Sequence, residues 1–397
     1  MDEEANELKR FLHWGPILTI GNTLIIGLTT LSWWPKDFSF TTQAHLGMFM
    51  LVNVLAAYNF VMAIMVGPGF LPKQWRPQNS RDSKYLQYCR KCDGLKAPRS
   101  HHCRRCNRCV KKMDHHCPWI NHCVGWSNQA YFVYFVFFYM LSNLHAAVVL
   151  ALSGSSYFIE HSIRRRRFGN IFGLSMCLIC FSLATGMVLC MLKLLCMQLR
   201  IVLKNMTSIE QWIVEKANNR RCCKQHKLEP FVYPYNLGWY FNLGQVFNIE
   251  SQTRSQGIEW PVRKGCDQYT LTKEQIAQKK EKLERSRIYR CIRRSTGYWF
   301  PIFSQGLMVT VCVPCADDPR ICVELNDLIR VTRIQDYWLF GELVRCERGE
   351  PHELRQRCIR GWFPSRCAID VTEQMDAKEL SELKSSQSKL KQKLNQD

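Results

Sequence analysis

Acidic residues are scarce in this chain: 33 Asp and Glu stand against 54 Lys and Arg among 397 residues, a net charge of +21. Charge of either sign is thin, at 22% of residues against 47% hydrophobic, which excludes a disordered polyelectrolyte. In places charge is missing altogether. No Asp, Glu, Lys or Arg occurs from Trp14 to Trp34, from Phe38 to Pro72 or from His115 to Ile159. Such runs exclude an ordinary soluble enzyme. The first run also lacks the marks of a cleaved signal peptide, since Met1 to Glu7 is acidic, no small-residue cleavage site follows and further apolar segments do.

About 20 apolar residues in a helix cross the roughly 30 Å hydrocarbon core of a bilayer. The sequence therefore predicts an α-helical integral membrane protein with spans at 14–34, 46–66, 131–152 and 168–192. Tryptophans at both ends of the first span suit the headgroup boundary, where an indole buries its ring and keeps its N–H wet. An even number of spans puts both termini on one side. The loop from Gly67 to Gln129 carries 13 Lys and Arg, whereas Trp34 to His45 carries only Lys36 beside Asp37. The long loop, residues 1–13 and everything after Lys193 are thus expected in the cytosol, with 34–45 and 153–170 in the lumen. The run Arg164 to Arg167 lies on the luminal side of that scheme and opposes it. The net charge then faces the membrane, favouring anionic lipid or an anionic substrate and no nucleic acid.

Disulfide spacing is absent too. Of 21 cysteines, seven crowd between Cys89 and Cys123 beside five histidines, the composition of metal sites in a reducing compartment. Adding fourteen to each of Cys89, Cys92, His102 and Cys109 gives Cys103, Cys106, His116 and Cys123. Each quartet has the make-up of a tetrahedral Cys3His zinc site, so two interleaved structural Zn2+ ions are expected. They would cross-link a segment too poor in aliphatic residues to fold on a core of its own.

A third step of fourteen reaches Cys117, but Ile120 occupies the place of its paired cysteine. Cys117 is left without a metal partner, in the run Asp114-His115-His116-Cys117-Pro118-Trp119. His116 is used by zinc and His115 is not. A free thiol and a free imidazole two residues apart are the makings of a Cys/His nucleophile, with Asp114 able to hold the imidazole in one tautomer. The other readings of Cys117 are a variable metal ligand and an inert thiol. It lies shortly before the third span, where the acyl chain of a lipid thioester could enter the bilayer while its polar part stays wet. Exchange of one thioester for another is nearly isoenergetic, so positioning, a base and oxyanion stabilisation would suffice.

Cys89 to Cys123 resembles the cysteine-rich domain of the DHHC protein S-acyltransferases, which lies between the second and third of four spans. The resemblance implies that Cys117 accepts a long acyl group, usually palmitoyl, from palmitoyl-CoA or another long-chain acyl-CoA, and passes it to a cysteine of a membrane-associated protein with cytosolic thiols. Asp114 and His115 would orient and take the proton, and the two quartets would hold zinc. The residues that hold the acyl-CoA are not indicated. Outside that domain the likeness is looser. Gly67-Pro68-Gly69 stands where relatives carry Asp-Pro-Gly; Thr207-Ser208-Ile209-Glu210 represents a Thr-Thr-x-Glu element whose Ser208 hydroxyl could pack on the active-site loop; Asn242 would be a structural asparagine. Helix capping and turn formation are the plainer readings of these three.

From Gly306 to Val371 short apolar runs at Arg320 to Val323, Leu328 to Val331, Tyr337 to Phe340 and Cys358 to Trp362 alternate with turns. Glu324-Leu325, Tyr337-Trp338 and Gly361-Trp362-Phe363-Pro364 resemble an SH3 domain, so a β-barrel is expected over 306–372. Together with Thr-Ser-Ile-Glu it points to the SH3-bearing, endoplasmic reticulum branch of the family, the Golgi being the other candidate location. The implied organisation is 85–130 for the zinc domain, 193–305 for a cytosolic C-terminal region and 373–397 for a charged tail. Lys391 and Lys393 stand too far from Asp397 for a dilysine-like retrieval signal. Two aromatic walls of an SH3 groove lack counterparts, one of them replaced by Cys367, so docking on the chain's own cytosolic face or on an atypical partner is expected there. A catalytically idle, membrane-anchored zinc and SH3 interaction module is the alternative.

Overall fold

A computed structural model describes residues 8–163, 171–222, 229–247, 256–298, 306–314, 318–345 and 360–376. The Arg164 to Arg167 run, Phe168 at the start of the expected fourth span, and Lys391 and Lys393 lie outside the described residues. The chain divides into two compact units, Met1–Gln275 and Ile276–Asp397.

Among the described residues of the first unit four helices are long and apolar enough to cross a membrane: α1 (Trp14–Ser32), α2 (Phe40–Met65), α3 (Gln129–Ile163) and α4 (Ile171–Lys204). Two outrun the apolar stretches that signal them. α4 continues past Leu192 through Lys193 and Arg200, and α3 past Leu152, because the i to i−4 ladder needs no apolar side chain. Charge marks where a helix leaves hydrocarbon and not where it ends. Large apolar residues such as Leu28, Val54, Phe172, Leu178 and Leu189 point outward, more than half exposed, where lipid would cover them. Small ones turn inward. Ala146, Ala147, Cys177, Cys180 and Ala184 form a buried cluster with Ile26, Phe49 and Leu150, letting helix backbones approach as membrane packing requires. Asn22 Nδ2 donates to the Tyr139 hydroxyl at 2.9 Å, linking α1 to α3.

Between α2 and α3 the chain makes three antiparallel hairpins, β1–β2 (Gln87–Cys89, Gly94–Lys96), β3–β4 (His101–Cys103, Arg108–Val110) and β5–β6 (His115–Cys117, His122–Val124). The fourteen-residue repeat is therefore a repeat of hairpins. Even the left-handed turn residues recur at that step: Asp93, Asn107 and Asn121, with φ of 51°, 52° and 47°. Asp and Asn accept this conformation at lower cost than most residues. The hairpins dock at the helix ends. Asn128 Nδ2 donates to Ala63 O and Cys123 O, both at 2.9 Å, and Ser127 Oγ to Gly67 O at 2.7 Å.

Beyond α4 come α5 (Ser208–Cys222), α6 (Trp239–Phe247) and α7 (Thr270–Glu284). Asn242, fully buried, ties α6 to the end of α4: its Nδ2 donates to Leu203 O at 2.7 Å and its Oδ1 accepts from Leu237 N at 3.0 Å.

In the second unit five strands form one antiparallel sheet in the order β10-β9-β8-β7-β11: β7 (Arg287–Cys291), β8 (Leu328–Gln335), β9 (Trp338–Arg345), β10 (Arg360–Pro364) and β11 (Ala368–Asp370). Two expectations are corrected. The sheet begins at Arg287, ahead of the expected boundary at Gly306: only Ile288 and Cys291 of this strand are buried, and the exposed Arg287 and Arg290 mask its strand character. Leu307–Val311 forms a one-turn helix, α8, and Arg320 to Val323 contributes isolated bridges only. Among the described residues the sheet is small and does not close. Trp338 is buried, its Nε1 donating to Val309 O of α8 at 3.0 Å, in a cluster with Phe340 and Trp362.

Candidate active site and metal centres

Each metal-type quartet converges. Cys89, Cys92, His102 and Cys109 form one cluster and Cys103, Cys106, His116 and Cys123 the other, every set of ligand atoms lying within 4.8 Å of one another. A tetrahedron with zinc–sulfur bonds near 2.3 Å and zinc–nitrogen bonds near 2.0–2.1 Å has edges of about 3.6–3.8 Å. The observed separations match: His102 Nδ1 lies 3.5, 3.3 and 4.0 Å from the sulfurs of Cys89, Cys92 and Cys109. His116 Nδ1 lies 3.7, 3.5 and 3.7 Å from those of Cys103, Cys106 and Cys123. Thiols packed this closely oppose one another's ionisation. Cys123 is pushed far up, by Cys103 foremost, while Cys106 is held far down. A divalent cation removes that conflict by taking every sulfur as thiolate.

The hairpin register explains how the quartets interleave. His102 faces Cys109 and His116 faces Cys123 across their ladders, so each second strand returns a cysteine beside its histidine. The paired cysteine of each cluster sits on the turn of the preceding hairpin. On the third hairpin that turn position is Ile120, fully buried among Ile64, Phe132, Val136 and Val202 at the helix ends. Cys117 belongs to the same apolar cluster and is 5% exposed. The place of a metal ligand is given to packing.

The structure pairs Asp114 with His115 and places Cys117 on the same short strand as the histidine. His115 Nδ1 is 2.9 Å from Asp114 Oδ2, and the Cys117 thiol lies near enough to act on the titration of the imidazole. Burial opposes the imidazolium, but the hydrogen bonds to Asp114 and Cys117 outweigh it and push His115 up to about 10. Asp114 is 2% exposed, yet burial is overcome by the bonds from His115, Ser208 and Gln198, which hold its carboxyl down at about 2. The carboxylate is thus fixed from three sides: Gln198 Nε2 donates to Oδ2 at 3.0 Å and the Ser208 backbone N–H to Oδ1 at 2.7 Å. The Ser208 contact is made by backbone and not by the hydroxyl, so Thr or Ser serves alike there. Gln198, on α4, was not singled out by sequence reasoning; a lone glutamine at the end of an apolar span is its only signal.

Thr207 to Glu210 combines two roles. Glu210 N–H donates to Thr207 Oγ1 at 3.3 Å and Thr207 N–H to Glu210 Oε2 at 2.8 Å, a reciprocal cap at the start of α5. The same carboxylate takes a two-pronged ion pair from Arg99, in the link between the first and second hairpins, at 2.6 and 2.8 Å, plus the Tyr233 hydroxyl at 2.7 Å. Both charged side chains are fully buried. Removing one partner of such a pair strands a charge, at about 3–5 kcal/mol. Arg99 also lies over the rings of Tyr235 and Trp260 and donates to Asn205 O. The Cys/His hairpins and the segment that grips Asp114 are thereby locked together.

The chain matches a family model described as DHHC palmitoyltransferase over residues 82–215. It is 41% identical over 394 residues to Palmitoyltransferase ZDHHC6 of Danio rerio, covering 92% of this chain and 93% of that protein. The human protein of the same name is 40% identical over 392 residues, covering 92% of each. Probable protein S-acyltransferase 13 of Arabidopsis thaliana is 30% identical over 227 residues, 52% of this chain and 68% of the relative.

Proposed function

The chain belongs to the DHHC palmitoyltransferase family and is a multi-pass membrane protein S-palmitoyltransferase; from that premise we propose that Cys117 is the residue that carries the acyl group. The observation that supports this most is the third hairpin, where the repeat delivers a thiol at a ligand position and Ile120 denies it a metal. His115 Nε2 takes the Cys117 proton, and the thiolate attacks the carbonyl carbon of palmitoyl-CoA. The tetrahedral oxyanion collapses with loss of CoA thiolate, which takes up the proton from His115. In the second half a substrate cysteine gives its proton to His115, attacks the Cys117 thioester and leaves Cys117 to recover that proton. Asp114, held by Gln198 and Ser208, keeps the imidazole oriented through both halves. The two quartets would hold zinc, which supplies structural cross-links and no reacting atom.

Exposure of the purified enzyme to palmitoyl-CoA should release one equivalent of CoA in a burst and leave a hydroxylamine-sensitive acyl-enzyme. A silent protein would restore the alternative of an idle binding module. His115→Ala should keep both metals and slow acylation by about 10²–10⁴-fold, the usual effect of losing a positioned base. Single-turnover rates check this, and an unchanged rate removes His115 from the mechanism.

In the same reading the hairpins and both termini face the cytosol, the spans lie in the endoplasmic reticulum membrane, and the acyl donor and membrane-associated protein substrates approach from the cytosolic side. The 13 Lys and Arg of the loop before α3 support the orientation. An N-glycosylation acceptor inserted near Ser156 should be modified with glycans that stay in the immature, endoglycosidase H-sensitive form. Absence of modification contradicts the orientation, and mature glycans contradict the compartment.

The strand order of the second unit supports an SH3-like reading of 287–372, with α8 lying on the aromatic face that would grip a Pro-rich helix. Val309 is fully buried against Trp338, so Pro-x-x-Pro peptides should bind worse than ~100 μM, as expected where aromatic anchors are already occupied. Low-micromolar binding to the full chain by calorimetry would overturn this.

A further inference from the structure

Three separate contacts bring the N-terminal segment onto the turn that follows Cys117. The closest is at Gly15, in the first turn of α1: a Cβ there would lie 1.9 Å from Pro118 O, 2.7 Å from Pro118 C and 3.0 Å from Trp119 Cα. No side chain fits that approach, and the helix backbone rests directly on the turn. The glycines farther along α1 are different, for Gly21 and Gly27 have nothing within 4 Å of the same position. The second contact is reciprocal. Arg10 Nη1 donates to Asn121 O at 3.1 Å, and Asn121 Nδ2 donates to Arg10 O at 3.3 Å. The third is an edge-on pairing of Trp14 with Trp119, ring centroids 5.4 Å apart. Phe11, between them in sequence, packs on the apolar cluster that contains Cys117 and Ile120.

The third hairpin has a particular need of such support. Turns one and two each carry a cysteine ligand, Cys92 and Cys106, which ties the turn to a metal-type cluster. The third carries Ile120, and its left-handed residue Asn121 is the one Arg10 grips. We propose that Lys9 to Gly15 is a positioning element for the nucleophile, standing in for the metal cross-link that the third turn lacks, with Gly15 and Arg10 as its positioning residues. This rests on Cys117 being the acylated residue. A side chain at position 15 drives the Pro118–Asn121 turn away from α1, and a displacement on the order of 1 Å at a reacting group is enough to cost about 10²-fold in rate.

The test compares Gly15→Ala, Gly21→Ala, Gly27→Ala and Arg10→Ala in the full-length chain, reading single-turnover acyl-enzyme formation from palmitoyl-CoA, zinc content and the labelled cysteine. Gly15→Ala should lower the maximal acylation rate by about 10- to 100-fold. The concentration of palmitoyl-CoA at half-maximal rate should stay within about twofold, and two zinc per chain should remain. Gly21→Ala and Gly27→Ala should match the parent. Arg10→Ala should fall by a few fold and Arg10→Lys, which keeps one donor for Asn121 O, should recover part of that loss. A parental rate in both Gly15→Ala and Arg10→Ala overturns the inference while leaving Cys117 as the acceptor. Loss of zinc in Gly15→Ala also overturns it, because the contact would then support folding and not position. Labelling of another cysteine in the parent removes the reading on which the inference depends.

Discussion

Cys117→Ser should abolish acyl-enzyme formation and acyl transfer together, with the zinc content unchanged at two per chain. A serine hydroxyl is somewhat smaller and more polar than the thiol it replaces, and it ionises far less readily. His115 could not generate an alkoxide by the same hydrogen bond, and an oxygen ester would not be isoenergetic with the donor thioester. The metals should be indifferent, because Cys117 belongs to neither convergent quartet and lies in an apolar cluster with Ile120, Phe132 and Val202. Metal analysis and acyl labelling of the same sample separate the two effects. Loss of zinc in this variant would show that the thiol is a ligand, and retained labelling would show that another cysteine is acylated.

The second large effect is expected at the ligands themselves. Cys106→Ala or His116→Ala should leave fewer than two zinc per chain and a protein that aggregates or is degraded, so activity is lost for a different reason. The hairpins are three-residue strands joined in pairs, with no continuous sheet between them. Strands that short do not persist on ladder hydrogen bonds alone, and the metal supplies the missing cross-link. His116 also precedes Cys117 on the same strand, so collapse of the second cluster carries the nucleophile with it. Size-exclusion chromatography with metal analysis checks the outcome. A monodisperse Cys106→Ala chain holding two zinc would refute the interleaved ligand set.

Much of this site is legible in the sequence because its chemistry is local. Asp114, His115, the two Cys/His quartets and Cys117 lie within one short segment, and a fixed step of fourteen turns numbering into hairpins. The four spans are legible for a related reason, since the bilayer demands long uncharged runs. What escapes is contact made across the fold. Gln198 donates to Asp114 from α4, Arg99 reaches Glu210 from the link between two hairpins, and Gly15 meets Pro118 from the far end of the chain. Each is one ordinary residue with no periodic partner, so nothing local marks it. Ser208 shows a subtler failure. Its hydroxyl drew notice while its backbone N–H makes the bond to Asp114, and a backbone donor leaves no trace in residue type. In the second unit, β7 escapes because a five-residue strand with two exposed arginines resembles a charged connection, and the short apolar run of α8 falls inside the barrel boundary expected at Gly306 with nothing local to mark it as helix.

The central claim is that the fourteen-residue repeat singles out one thiol by withholding its metal. It is tested most directly by loading the zinc-replete, full-length protein with an alkyne-tagged palmitoyl-CoA, cleaving it under conditions that preserve thioesters, and mapping the label by mass spectrometry. One acyl group on Cys117, with the eight quartet residues unlabelled and two zinc bound, is the predicted result. A label on any cysteine of the two quartets, or none on Cys117 in a preparation that still transfers palmitate to a protein substrate, would contradict it.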